Sequence, residues 1–156
     1  MQNTKTNAMR ILDSAKLDYT VHFYESGDSV DGISVAHKLG QDVNRVFKTL
    51  VTKGKSIYFV FVIPVAEELD LKKAAKSVSE KSVEMIPVKD INKVTGYIRG
   101  GCSPVGMKKL FKTVINSTAL DFDKIIFSGG KIGTQIEMSP KDLATLISAD
   151  FETITA

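Results

Sequence analysis

Apolar residues recur along the chain with two different periods. Ala8, Leu12 and Ala15 are spaced as on one face of a helix, whereas Tyr19 and Val21 begin an alternation typical of a half-buried strand. Helical spacing predicts helices at residues 6–16, 29–40, 70–77, 88–95 and 139–148. Alternating or continuous apolar runs predict strands at residues 18–25, 45–53, 55–64, 82–86, 110–116, 124–130, 134–138 and 151–155. Many short strands with interspersed helices predict one α/β (α+β) domain over residues 1–156, built on a mixed sheet or open barrel.

Capping residues, glycines and a proline lie at the ends of the predicted helices and strands. The run IYFVFVI (57–63) is apolar at every position, which predicts a central strand buried on both faces. The segment GGKIG (129–133) has the glycines expected of a hairpin turn. Helix caps or stops are predicted at Ser29 or Asp31, Gly40, Asp70, Gly96, Ser139 and Pro140.

Composition and charge narrow the class of protein. One cysteine and two histidines among 156 residues exclude an internal disulfide framework and make a zinc cluster implausible, so we expect no metal or cofactor. The polar start and the lack of a long apolar run predict neither a secretory signal nor a membrane span, so a cytoplasmic protein is expected. A net charge of +3 is too mild for a dedicated nucleic-acid binder, but it allows a partner that is anionic over a limited area.

The segment TGYIRGGCSPVGMKK (95–109) concentrates glycines around the single cysteine. Its approachable backbone N–H groups could hold an oxyanion or a carbonyl oxygen. Neither Ser103 nor Cys102 has a recognisable base. The two histidines are His22, predicted on a strand, and His37, predicted on a helix, and nothing in the sequence places either of them near this loop. The motif also differs from the Gly-x-Ser-x-Gly elbow, so a serine hydrolase is disfavoured.

Lys48 lies in the apolar strand RVFKTLV (45–51), where it shares a face with Val46 and Leu50. Its ammonium either reaches water at the rim or points into a polar cavity, and the residues alone favour the rim. In a cavity it would bind a phosphate or carboxylate, or stabilise developing negative charge. Ser128 ends a strand just before the hairpin turn and could face a cleft.

Four motifs in order, RVFKTLV, PVAEELDLKKAAK, TGYIRGGCSPVGMKK and IIFSGGKIGTQIEM, resemble the YbaK/EbsC family. These proteins are relatives of the editing domain of bacterial prolyl-tRNA synthetases, and the resemblance covers nearly the whole chain. It implies a mixed, barrel-like β-sheet flanked by helices. It also implies a trans-editing deacylase without metal or cofactor, acting on the acceptor end of mischarged tRNA, with Cys-tRNA(Pro) the favoured substrate and prolyl-tRNA synthetase a partner.

The resemblance also assigns candidate site residues. Lys48 and Gly101 match the catalytic positions, with Gly101 expected at the substrate carbonyl. The implied substrate-binding residues are Tyr24, Thr49, Gly100, Cys102, Ser103, Pro104, Ser128 and Gln135. Apart from the resemblance, lysines cluster in DLKKAAKS (70–77) and GMKKLFK (106–112), and the lysines expected to meet tRNA are Lys72, Lys73, Lys108, Lys109 and Lys131.

Two departures from the family pattern bear on specificity, because Gln135 replaces an aspartate and Asp31 stands near an expected phenylalanine. In the resulting mechanism, amides near Gly100–Ser103 hold the ester carbonyl and Lys48 holds a phosphate or the developing charge. The thiol of the substrate would be the nucleophile, which would make Cys102 a pocket-lining residue. The alternative is a non-catalytic regulatory or ligand-binding module of the same fold, which would not need Lys48 for turnover.

Overall fold

The computed structural model describes residues 5–25 and 32–156, where eight strands form two sheets. The strands are β1 Thr20–Phe23, β2 Phe47–Lys53, β3 Tyr58–Pro64, β4 Glu84–Met85, β5 Lys112–Asn116, β6 Ile125–Lys131, β7 Thr134–Met138 and β8 Asp150–Glu152. The α-helices are α1 Asn7–Ser14, α2 Gly32–Lys38, α3 Leu71–Ser77, α4 Ile91–Thr95 and α5 Pro140–Ile147. Short 3₁₀ helices cover Val43–Arg45, Val88–Asp90 and Ser117–Asp121.

The larger sheet is mixed, as predicted, and has the order β4-β2-β3-β5-β8. β3 lies at its centre and is buried from residue 59 to residue 64, which confirms the continuous apolar run as a central strand. The smaller sheet has the order β1-β7-β6 and is antiparallel throughout. A bridge between Val46 and Ile126 connects the two sheets. The described strands therefore form two joined sheets rather than a closed barrel.

Local signals place the helices where they were predicted. The Asp70 side chain accepts hydrogen bonds from the amides of Lys72 and Lys73 at the start of α3, and Ser139 caps α5. Gly96 ends α4 with a φ of 88°, in the left-handed region. The proposed caps Ser29 and Asp31 lie outside the described residues.

Other boundaries differ from the prediction. The first strand is shorter than predicted, because only Thr20–Phe23 pairs with β7. The helix predicted from Val88 begins with a 3₁₀ turn, and the 3₁₀ helices at Val43–Arg45 and Ser117–Asp121 were missed. These short turns have no apolar period long enough to identify. The extent of the domain, 1–156, stays a prediction.

Three apolar clusters hold the elements together. The main cluster packs α1 and α5 against the small sheet and one face of the large sheet, with Leu12, Phe127 and Leu143 fully or almost fully buried. A second cluster packs α3 on the other face. A third joins Ala36 of α2 to Val46 and Ile126 at the bridge between the sheets. This last cluster fixes the position of α2 beside the candidate site.

In the described ranges no helix is both long and apolar enough to cross a membrane.

Candidate active site

A small pocket lies where β2 and the small sheet meet the glycine-rich loop, and its volume is about 130 Å³. Val46, Phe47 and Phe127 supply apolar walls. Seven of the ten residues predicted to be catalytic or substrate-binding also line it: Tyr24, Lys48, Thr49, Gly100, Cys102, Ser128 and Gln135. They come from segments far apart in the chain, so the fold brings together residues that the sequence motifs hold separately.

Lys48 lies on β2 opposite Ile63 and lines the pocket. Lys48 is half-buried and lines the pocket, which fits the cavity interpretation, and its catalytic role stays a prediction. Among the described residues no carboxylate forms an ion pair with its ammonium. The positive charge is thus left to act on whatever occupies the pocket.

The glycine-rich loop packs directly against the turn between β6 and β7. A Cβ atom at Gly101 would lie 3.0 Å from the Cα of Lys131 and 3.1 Å from the amide nitrogen of Ile132. Both atoms belong to the backbone, so no side-chain rotation could relieve the contact. Gly101 therefore allows a close approach that a larger residue would prevent.

The amides of this loop differ in what they can bind. The Gly101 amide donates a 3.0 Å hydrogen bond to the carbonyl of Ile98, and Gly101 does not line the pocket. Gly100 and Cys102 do line it, and their amides donate to no acceptor among residues 5–25 and 32–156. Two amides without an acceptor in the described part of the chain thus flank Gly101, in residues that line the pocket, and the role predicted for Gly101 itself stays a prediction.

Ser103 and Pro104 belong to the loop but lie away from the pocket lining. Ser103 is fully buried, and its hydroxyl accepts a 3.2 Å hydrogen bond from the Val105 amide. Pro104 lines a separate cavity together with Ile11 and Phe111. Neither residue lines the candidate pocket, so their predicted contact with substrate has no support in this geometry.

Cys102 lines the pocket as a protonated thiol. Burial raises the pKa of this thiol to about 11, although a hydrogen bond with Thr95 acts in the opposite direction. The reactive thiolate is therefore rare at neutral pH. The histidines offer it no base, since His22 contacts Glu137 at 2.7 Å and neither His22 nor His37 lines the pocket.

One face of the small sheet continues the polar side of the site. Ser128 of β6 and His22 of β1 both lie opposite Gln135 of β7, so the three side chains share a face. Further along this face, Glu137 accepts hydrogen bonds from His22 and Arg45. Burial raises the pKa of Glu137, but these two hydrogen bonds outweigh it and leave the pKa below its usual value.

Gln41, which the sequence analysis did not identify, contacts the site through Gln135. Its Nε2 donates a 2.8 Å hydrogen bond to the Oε1 of Gln135, which is 5% exposed. The Oε1 of Gln41 and the hydroxyl of Thr49 are buried and make no hydrogen bond within the described part of the chain. Buried polar atoms without a partner are uncommon and mark places where a bound group would be stabilised.

A larger groove of about 570 Å³ adjoins the pocket. The two cavities share Lys48, Thr49, Val65, Gly100 and Cys102. Arg99 also lines the groove, and the sequence analysis did not identify it as a site residue. Nothing in its local sequence distinguished it from the surface lysines nearby.

The lysines predicted to meet tRNA are dispersed, and none lines the pocket or the groove. The backbone of Lys131 packs against Gly101 of the glycine-rich loop. Lys73 and Lys108 donate to the backbone carbonyls of Thr155 and Lys93, at 3.0 and 3.2 Å. Lys109 lines the same cavity as Pro104, whereas Lys72 belongs to α3. Their contact with tRNA stays a prediction.

In the described ranges no three metal-binding side chains come together.

Comparison with known proteins gives consistent relatives. The model of the aminoacyl-tRNA editing domain matches residues 29–146. A protein of Enterococcus faecalis, provisionally named as the Cys-tRNA(Pro)/Cys-tRNA(Cys) deacylase EbsC, is 48% identical over 97% of this chain and 93% of its own length. The proline–tRNA ligase of Fervidobacterium nodosum is 35% identical over 47% of this chain and 13% of its own length. A crystal structure provisionally described as a trans-editing enzyme for prolyl-tRNA synthetase has the same fold, with a TM-score of 0.82 at 21% identity over 98% of this chain and 99% of that one.

Proposed function

The chain belongs to the aminoacyl-tRNA editing domain family, and on this premise we propose that it is a trans-editing deacylase. It hydrolyses the ester between an amino acid and the terminal adenosine of mischarged tRNA. Cys-tRNA(Pro) is the proposed substrate, since the relative from Enterococcus faecalis, 48% identical, bears a name for that reaction.

The observation that carries this proposal is the joint lining of one small pocket. Lys48, the loop residues Gly100 and Cys102, and the hydroxyl-bearing Ser128 all line a space of about 130 Å³. That volume suits the acyl group of a small amino acid, because sites for whole drug-sized ligands measure about 300 to 1,000 Å³. A cation and backbone donors are the groups that stabilise an ester carbonyl as it gains negative charge.

In the proposed mechanism the amides of Gly100 and Cys102 hold the ester carbonyl oxygen. Lys48 stabilises the negative charge that develops on the reacting oxygens. The thiol sulfur of the substrate attacks its own carbonyl carbon, the bond to the tRNA oxygen breaks, and the thiol proton passes to that oxygen. A cyclic thiolactone leaves, and water then opens it to cysteine.

Cys102 is a lining residue in this scheme. Its pKa of about 11 keeps it protonated at the pH of translation, so it does not compete with the substrate thiol. Gly101 acts indirectly, by letting the loop approach the β6–β7 turn so closely.

The test is deacylation of tRNA(Pro) charged separately with cysteine, alanine and proline. The wild type should release cysteine fastest, Lys48→Ala should lose most of the rate, and Cys102→Ala should keep it. Lys53→Ala is the matched control, because Lys53 lies on the same strand and contacts the Tyr58 ring instead. Rapid turnover by Lys48→Ala would contradict the mechanism. No turnover by the wild type would favour a non-catalytic binding module.

We also propose that the protein works beside prolyl-tRNA synthetase in the cytoplasm. With a net charge of +3, the chain can grip an acceptor end through a few phosphates but holds tRNA weakly by itself. Adding the synthetase should therefore raise the deacylation rate at low tRNA concentration, with little change at saturation. An unchanged rate at low concentration would count against the partnership.

A further inference from the structure

The ester substrate of the proposed function has two parts, and the acyl pocket has room for one. The pocket measures about 130 Å³ and the adjoining groove about 570 Å³. Only the groove falls within the range usual for ligand sites. Since both cavities share Lys48 and Gly100, a molecule whose reacting bond lies at this junction would extend into both.

The groove has an apolar wall that is open to solvent. Ile33, Met85 and Val88 line it, and their exposed fractions are 39%, 46% and 55%. Ile86 and Ile91 extend the same wall. Neighbouring apolar side chains left uncovered at a cavity mark a binding surface. Apolar side chains are also among the groups that proteins use to cover the flat face of an unpaired base.

The groove also carries positive charge. Arg99 and Lys48 both line it, and its described lining contains no aspartate or glutamate. Arginine binds phosphate through paired hydrogen bonds, which makes it well suited to a phosphate beside an apolar wall. A nucleotide offers this combination, a flat base with a phosphate a few ångströms away.

We propose that this groove binds the terminal nucleotide of the tRNA, with the base on Met85 and Val88 and a phosphate at Arg99. The inference rests on the proposed function, because the nucleotide is the alcohol part of the ester. With the nucleotide held there, the ester bond reaches the junction where Lys48 and Gly100 lie. Arg99 is then a substrate-binding residue that holds the nucleotide and does not take part in bond breaking.

The first experiment measures binding of adenosine 5′-monophosphate by NMR titration, without any reaction. The wild type should bind it, Arg99→Gln should weaken binding about 10- to 100-fold, and Met85→Ser should weaken it less. Ile57→Ser and Lys76→Gln are matched controls away from the groove and should bind as the wild type does. Equal binding by the wild type and Arg99→Gln would overturn the proposal, as would no binding by the wild type at millimolar nucleotide.

The second experiment compares cysteinyl-tRNA(Pro) with cysteine ethyl ester, which has the acyl group without the nucleotide. Arg99→Gln should raise KM for the tRNA about 10- to 100-fold with little effect on kcat, and should leave hydrolysis of the ethyl ester unchanged. An equal loss on both substrates would overturn the proposal. If the variants lost only the stimulation by prolyl-tRNA synthetase, the groove would instead be a protein-docking surface.

The two failures can be told apart. If the wild type hydrolyses neither ester, the proposed deacylase function is wrong, whatever the groove binds. If it hydrolyses cysteinyl-tRNA(Pro) normally while groove variants behave as the wild type, the deacylase stands and the nucleotide site is wrong.

Discussion

The hydrogen bond between Gln41 and Gln135 should decide which polar atom the acyl pocket presents to its substrate. Gln41 follows the end of α2, where Gly40 has a φ of 68° and the Gln41 amide donates to the Ala36 carbonyl at 2.8 Å. Its side-chain Nε2 then donates to the Oε1 of Gln135. An amide carries one oxygen and one NH₂ group, so this bond leaves the NH₂ group of Gln135, a donor, for the pocket.

Replacing Gln41 with glutamate should reverse this arrangement. A carboxylate only accepts hydrogen bonds, so Gln135 must turn its NH₂ group toward residue 41 and its oxygen toward the pocket. A buried donor exchanged for an acceptor costs about 1 to 3 kcal/mol when the partner is an acceptor. If the NH₂ group binds an oxygen of the ester, kcat/KM should fall about 5- to 150-fold in Gln41→Glu.

Two companion variants separate orientation from packing. Gln41→Lys keeps a hydrogen-bond donor for Gln135 and should retain most of the activity. Gln41→Met removes the hydrogen bond without turning Gln135 around, so its activity should lie between those of the lysine and glutamate variants. The assay is kcat/KM on cysteinyl- and alanyl-tRNA(Pro), with the melting temperature of each variant measured alongside. Equal activity in the glutamate and lysine variants would refute the reasoning. So would activities that only follow the melting temperatures.

Three further outcomes follow from the geometry. Because the folded state holds the Cys102 proton to about pH 11, this thiol alone should lower stability by about 2 to 3 kcal/mol as pH rises from 9 to 11, and in denaturant titrations the loss in Cys102→Ala should be smaller by that amount. Gly101→Ala should lower stability by about 1 to 3 kcal/mol, since its Cβ would meet the Lys131 backbone. Gly40→Ala has open space around the Cβ but a positive φ, so it should lower stability by about 1 kcal/mol. Equal melting temperatures of Gly101→Ala and the wild type would contradict the clash at Gly101. Because the pKa of Glu137 is lowered, its carboxylate stabilises the fold above about pH 4.5, so the melting-temperature advantage over Glu137→Gln should shrink as pH falls below that value.

The helices and strands were largely predictable because their signals are local. A capping side chain such as Asp70 or Ser139 acts on amides two or three residues away, and the apolar run of β3 reports its own burial. The same locality explains why Lys48 stayed ambiguous in the sequence. Its immediate neighbours are the same whether it faces water or a cavity, and only the approach of the glycine-rich loop distinguishes the two.

The residues that the sequence did not identify depend on distant contacts. Gln41 meets a partner 94 positions away, and Arg99 lines a groove together with residues of the segment 85–91. Gly101 was predicted at the substrate carbonyl because its family position suggested it. Its amide is bonded within the loop, so its contact with the substrate carbonyl stays a prediction, and the close packing against the hairpin gives a separate reason for glycine at this position.

The packing of the glycine-rich loop also bears on how such a site can work with few reactive groups. Three features hold the loop in place. Gly101 packs against the β6–β7 turn, and the Tyr97 hydroxyl donates a hydrogen bond to the Val105 carbonyl. The side chain of Ser103 is fully buried. The amides of Gly100 and Cys102 therefore have little freedom to move when charge develops. Hydrogen-bond donors that are already in position stabilise the charge of the transition state, because no free energy is spent on moving them during the reaction. In a site without a base–nucleophile pair, this stabilisation is the main source of catalysis. Loosening the loop should thus lower kcat more than it raises KM, even where every substrate contact is kept.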